Sequence, residues 1–182
     1  MRLALDISTS CVGYCVLNEN KILDIGFIDL SNHKGLYAKA SEVKNRILDL
    51  NKKYMFKKVV VEENLQAFRP GLSSAKTLMT LAQFNGVVRW ICYENLRATI
   101  EAINVNTARK SVGLKIDKKD KTKTTKEKVW EWVKLENQKD NFKIVWPMKK
   151  LKSGPNKGAT KLCPQSYDMA DAYVIGKASF KV

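Results

Sequence analysis

The apolar positions of this chain change period several times, and each change marks an element. Residues 2–7, 12–18 and 21–30 read as three strands, with Asn18-Glu19-Asn20 turning the chain between the last two. From Leu36 to Tyr54 the apolar residues Leu36, Ala40, Val43, Ile47, Leu50 and Tyr54 recur at steps of three and four, which predicts an amphipathic helix. Lys57 to Glu62, "KKVVVE", is a short strand, followed by a polar loop containing Arg69-Pro70-Gly71. Ser74 to Asn95 is helical but apolar nearly all round, so it needs cover on more than one side. One side suits a sheet. The other suits either the rest of the chain or a partner subunit, with Phe84, Val88 and Trp90 as candidates for that outer side.

"ATIEAINV" predicts a fifth strand, and a short helix is expected near Thr107–Val112. Helical pattern returns in "KEKVWEWVKLE". Residues 147–163, with Gly154-Pro155, Gly158 and their lysines, predict a mobile basic loop. Pro164 suits the first turn of a last helix running to about Ser179. Three antiparallel strands followed by alternating helix and strand predict an α/β fold: a mixed five-stranded sheet with helices on both faces.

A chain of 182 residues with 45% hydrophobic content is expected to form one domain with a substantial core. No apolar run approaches the roughly 18–20 residues of a membrane span, and the N-terminus lacks the pattern of a signal peptide. An intracellular location is therefore expected: cytoplasm or nucleoid, or the host cytoplasm for a viral protein. Cys11, Cys15, Cys92 and Cys163 form no C-x-x-C pair, and the one histidine, His33, has no cysteine nearby. Reduced, packed thiols fit better than a zinc site.

Charge changes the picture most. The net charge is +15, and residues 109–161 hold 17 basic against 6 acidic residues, so about +11 of the excess lies there. Such a field attracts nucleic acid or an anionic membrane; the plainer alternative is a solvated surface. The basic segments are 115–128 and 149–161. Lys118, Lys119, Lys121 and Lys123 lie in a run too polar to build a core and are expected to grip phosphate backbone.

Against this background four acids stand out. Asp6 interrupts the apolar "LALD", and Glu62 ends "VVVE". A carboxylate in such a place is costly to desolvate without a partner. Glu63 is the alternative to Glu62, since neighbouring strand residues point to opposite faces and the all-valine strand does not say which is which. In "YDMADA", Asp168 and Asp171 are three residues apart and share a helix side. Four carboxylates brought to one point repel one another unless a divalent cation joins them, and Mg²⁺ prefers such oxygen ligands.

"LALDISTSCVGYCVL", "VVVEENLQAF" and "YDMADAYVIG", in this order, resemble the acidic motifs of RuvC-type Holliday junction resolvases. The matching positions are Asp6, Ser8, Gly13 and Tyr14, then Glu62, then Asp168, Asp171 and Ala172. "IEAINVNTARKSVG" and "KEKVWEWV" resemble the run between those motifs. The chain departs from the family pattern at Ile7-Ser8-Thr9, where Pro-Gly-Ser is usual, and in its lysine-rich insertions. The resemblance implies a single RNase H-like nuclease domain over residues 1–182. It implies two Mg²⁺ per site, with Mn²⁺ able to substitute, held by Asp6, Glu62, Asp168 and Asp171. It further implies a homodimer acting on four-way DNA junctions by paired nicks that leave 5′-phosphate and 3′-hydroxyl ends. Lys126 would stabilise developing phosphorane charge, or simply contact backbone. Phe68, beside Arg69 in the loop after Glu62, would correspond to the family's aromatic wedge. The rival readings are an RNase H-like nuclease for forks, flaps or RNA, a non-catalytic binding module, and an actin-like or threonylcarbamoylation-type nucleotide-binding protein.

Overall fold

Alternation along the first strand sorts its side chains onto two faces. β1 (Arg2–Ile7) sends Leu3, Leu5 and Ile7 into one apolar cluster and Ala4 into another. β2 (Cys11–Asn18) runs antiparallel beside it, and β3 (Lys21–Asp29) antiparallel beside β2. After α1 (Leu36–Tyr54) the chain enters β4 (Lys58–Glu62), parallel to β1. After α2 (Ala75–Leu96) it enters β5 (Thr99–Ile103), parallel to β4. The sheet order is β3-β2-β1-β4-β5: the mixed five-stranded sheet expected, three antiparallel strands and then parallel ones. These features come from a computed structural model that describes residues 1–63, 74–117, 119–139 and 142–182.

The two faces are covered differently. Leu3, Leu5, Val59 and Val61 pack under α1 and α2, while Ala4, Cys15, Leu17 and Val60 pack under α5 (Gln165–Ala178). α3 (Val105–Ser111) and α4 (Thr125–Asn137) lie against α5, so that this helix is buried along nearly its whole length. No helix of the described residues is long and apolar enough to cross a membrane. Cys11, Cys15 and Cys92 are buried and unbridged, and Cys163 is half-buried and unbridged.

Two expectations need correcting. Phe84 and Val88 do not face outward: they are 1% and 0% exposed and pack against the sheet with Ile91 and Cys92. The spacing 84, 88, 91, 92 is itself a helical stripe, hidden in the sequence because the opposite side of α2 is also apolar. That opposite side carries Met79, Trp90 and Tyr93, each more than half exposed. Residues 147–163 are not simply a loop. β6 (Met148–Lys150) and β7 (Thr160–Leu162) pair antiparallel as a small ribbon. Its lysines and glycines obscured the strands, because β-propensity there comes from pairing and not from apolar alternation.

Gly13 sets the depth at which α5 sits. A Cβ at this position would lie 2.1 Å from the carbonyl oxygen of Asp168, so only glycine lets the first turn of α5 touch β2. The far end of the helix is tied down by Arg2, whose guanidinium donates to the Ser179 carbonyl and stacks over the Phe180 ring at 3.7 Å. Gly13→Ala is expected to cost at least about 1–3 kcal/mol in urea denaturation, as an overpacked contact with unyielding backbone. Gly86→Ala, in an open position of α2, is expected to stabilise by up to about 1 kcal/mol. Equal effects of the two substitutions would contradict this role of Gly13.

Candidate active site

The carboxylates meet because of register and alternation. Asp6 pairs across from Gly13 in β2, and Leu5 pairs with Val61 in the parallel β1–β4 ladder. Carrying that ladder one residue further sets Asp6 beside Glu62. Both acids follow Ala4 and Val60 onto the face that α5 covers. Glu63 takes the opposite direction, its carboxylate accepting from Asn104 Nδ2 at 3.4 Å. Asp168 lies in the first turn of α5 and Asp171 one turn on, 8% and 6% exposed.

Electrostatics show how closely these groups crowd. Burial, followed by the charges of Asp171, Glu62 and Asp168, raises the Asp6 pKa well above its ordinary value. Burial and then Asp171 push Glu62 up to about 7, against the opposing pull of Arg109 and Lys126. Asp171 is raised by burial, with Arg109 and Lys126 opposing. Burial, and then the charge of Asp168, also raises the pKa of the Cys11 thiol.

Two cations enter the cluster from the helices that cover α5. Lys126, at the start of α4, places Nζ 3.1 Å from Asp168 Oδ1. A capping box between Thr124 and Glu127 fixes this helix end and so the origin of the lysine. Burial works against the Lys126 charge, but Asp168, Asp6 and Asp171 outweigh it and raise its pKa. Arg109, in the last turn of α3, places Nη2 3.2 Å from Asp171 Oδ1. Sequence reasoning did not single out Arg109; its usable signal was a basic residue on a short helix directly after the last strand of the sheet, β5.

Among the described residues, no three carboxylate, histidine or cysteine side chains close into a finished metal cage. Asp168 and Asp171 are turned to Lys126 and Arg109 instead. The donor set nonetheless fits a hard divalent cation. It consists of oxygen ligands alone, and burial and mutual repulsion keep Asp6 and Glu62 protonated more readily than ordinary carboxylates, a conflict that a bound cation relieves.

The expected phosphate-gripping lysines Lys119, Lys121 and Lys123 are exposed, before α4. Their run is held by its own polar contacts. Lys128 Nζ donates to the Asp117 carbonyl at 2.8 Å and pairs with Asp120 Oδ2 at 3.0 Å, while Thr122 donates to Asp120 Oδ1. Lys123 pairs with Glu131 at 2.5 Å. Phe68, Arg69 and Lys118 lie outside the described residues.

No family model matches the chain, and no curated protein matches it by sequence. Solved structures match by fold. A structure of T. thermophilus RuvC in complex with Holliday junction substrate matches at TM-score 0.62 and 16% identity, over 97% of this chain and 90% of that one. A second Thermus thermophilus RuvC structure gives 0.57 and 13%, over 97% and 91%. The yeast mitochondrial Holliday junction resolvase Ydc2 gives 0.53 and 14%, over 99% and 77%. The chain therefore has the RNase H-like fold of RuvC-type resolvases.

The raised carboxylates carry a pH signature. Glu62 has an ordinary value near 4.5 when unfolded and about 7 when folded, so the folded state binds the proton more tightly. Its contribution to stability is present at low pH and is lost as pH rises through about 7. In EDTA the melting temperature of wild type should fall from pH 5 to pH 8 more steeply than that of Glu62→Gln. Identical slopes would contradict the raised Glu62.

Proposed function

We propose that this chain is a divalent-cation-dependent endonuclease that resolves four-way DNA junctions by paired symmetric nicks. The observation that carries the proposal is the convergence of Asp6, Glu62, Asp168 and Asp171, from β1, β4 and α5, within a RuvC-type fold. Branched DNA as substrate is supported by the T. thermophilus RuvC structure, which holds a Holliday junction.

Asp6, Glu62, Asp168 and Asp171 would hold two Mg²⁺, or Mn²⁺ in their place. When bound, the ions supply an activated water and Lewis acidity at the scissile phosphate, giving 5′-phosphate and 3′-hydroxyl ends. Lys126 and Arg109 bring fixed positive charge to the rim, where a phosphate arriving at the cluster meets it. The packing of α5 on β1 and β2 keeps water from the far side of the acids. Lys119, Lys121 and Lys123 hold the DNA backbone without reading sequence.

Two like cuts call for two sites related by a two-fold axis, and we place the contact on the outer side of α2. Met79, Trp90 and Tyr93 lie exposed there, with the Trp90 and Tyr93 rings 6.0 Å apart.

Asp6→Asn, Glu62→Gln and Asp171→Asn should each lower junction cleavage by more than about 100-fold while leaving junction binding intact. Assays on a four-way junction, a Y-fork, a duplex and an RNA–DNA hybrid check this. Wild-type turnover in a folded variant would overturn the site, and cleavage of forks or hybrid alone would favour a different RNase H-like activity. Changing Lys119, Lys121 and Lys123 to Gln should flatten the salt dependence of binding by about 0.9 for each phosphate no longer neutralised. Light scattering should find wild type at twice the 20.7 kDa of one chain and Trp90→Glu at the single mass. Wild type that stays monomeric on its junction would overturn the dimer.

A further inference from the structure

The β6–β7 ribbon holds charge at a cost to its own stability. Five lysines lie between Met148 and Leu162, and no carboxylate occurs from Phe142 to Tyr167. Lys149 and Lys161 stand directly opposite each other in the ladder, an arrangement that destabilises an isolated hairpin. The connecting turn is nevertheless well made. Leu151 and Ala159 continue the pairing, Gly158 donates back to Leu151 at 2.9 Å, and Gly154 and Gly158 adopt left-handed backbone at φ 85° and 90°. Every residue from Lys152 to Lys161 is exposed. The three paired residues alone project about 10 Å at roughly 3.3 Å per residue.

The base of the ribbon is fixed to the acidic cluster. Cys163 N and Ser166 Oγ both donate to the Pro147 carbonyl, at 2.9 and 3.2 Å, from positions just ahead of Asp168 along the chain. Trp146 packs edge-on against Trp130 of α4, ring centroids 6.0 Å apart. On the same side, Glu127 is held below its usual range, first by its hydrogen bonds with Thr124 and then by Lys161 and Lys123. The ribbon therefore adjoins the helix end that carries Lys126, and its lysines extend the basic surface of residues 119–126.

We infer that the β6–β7 ribbon is a phosphate clamp that grips the backbone of the DNA arm entering the carboxylate site. The inference rests on the nuclease reading for the identity of its partner. It assigns the ribbon a task separate from the chemistry, since none of its lysines pairs with the four acids among the described residues.

Two variants test it: Lys149, Lys150, Lys152, Lys157 and Lys161 all changed to Gln, and the tip pair Lys152→Gln with Lys157→Gln, which leaves the ladder untouched. Binding to a four-way junction is measured in EDTA across salt concentrations, and cleavage is measured separately with Mg²⁺. The expected result is a salt slope reduced by about 1.8 for the tip pair, at about 0.9 per phosphate, and by more for the full set. KM should rise at least about tenfold for the full set with kcat unchanged. Wild-type slopes and KM in both variants would overturn the clamp. Binding without any cleavage by wild type would overturn the nuclease reading while the slopes still decide the clamp. Absence of DNA binding by wild type would overturn both.

Discussion

Four carboxylates under one buried helix repel one another, and much of the structure can be read as the means of holding them there. The first turn of α5 touches β2 only because residue 13 has no side chain. Arg2 anchors the other end of the same helix to β1. Lys126 and Arg109 arrive from two further helices and partly compensate the charge. Compensation is incomplete, since Asp6, Glu62 and Asp171 all keep raised pKa values. A cluster left in that state favours any ligand that brings concentrated positive charge.

The two lysine-bearing cover elements give the site an asymmetric approach. α5 and the sheet close its inner side, while the run before α4 and the β6–β7 ribbon leave a basic outer rim. Under the proposed function such a rim would draw in a polyanion, and a divalent cation held by the acids would reconcile them with phosphate at close range. Long-range attraction and short-range repulsion are thus divided between different parts of the chain.

Much of this was legible in the sequence, for physical reasons that differ by element. Asp6 and Glu62 stood out because a charge inside an apolar strand has few structural uses, and the mix of antiparallel and then parallel strands followed from two tight connections and then two helical crossovers. The direction of Glu62 against Glu63 was not legible: Val59, Val60 and Val61 make β4 apolar on both faces, and only its register against β1, which sets Glu62 beside Asp6, distinguishes them. The same lack of contrast misassigned Phe84 and Val88 on α2. Arg109 escaped notice because its partner, Asp171, is 62 residues away and the pairing depends on how α3 packs on α5. The ribbon escaped because its pairing is made by backbone hydrogen bonds, and two of its three pairs hold lysines and a threonine where apolar residues would mark a strand.

Everything proposed for the acidic cluster requires it to be a divalent-cation site whose present ion pairs give way when the metal enters. Anomalous diffraction from crystals of the protein grown with Mn²⁺ tests this without recourse to an activity assay. The expected result is Mn²⁺ peaks bounded by Asp6 together with Glu62, Asp168 or Asp171, with Lys126 and Arg109 displaced from at least one carboxylate. A saturating Mn²⁺ concentration that leaves no peak there, with both ion pairs intact, would contradict it.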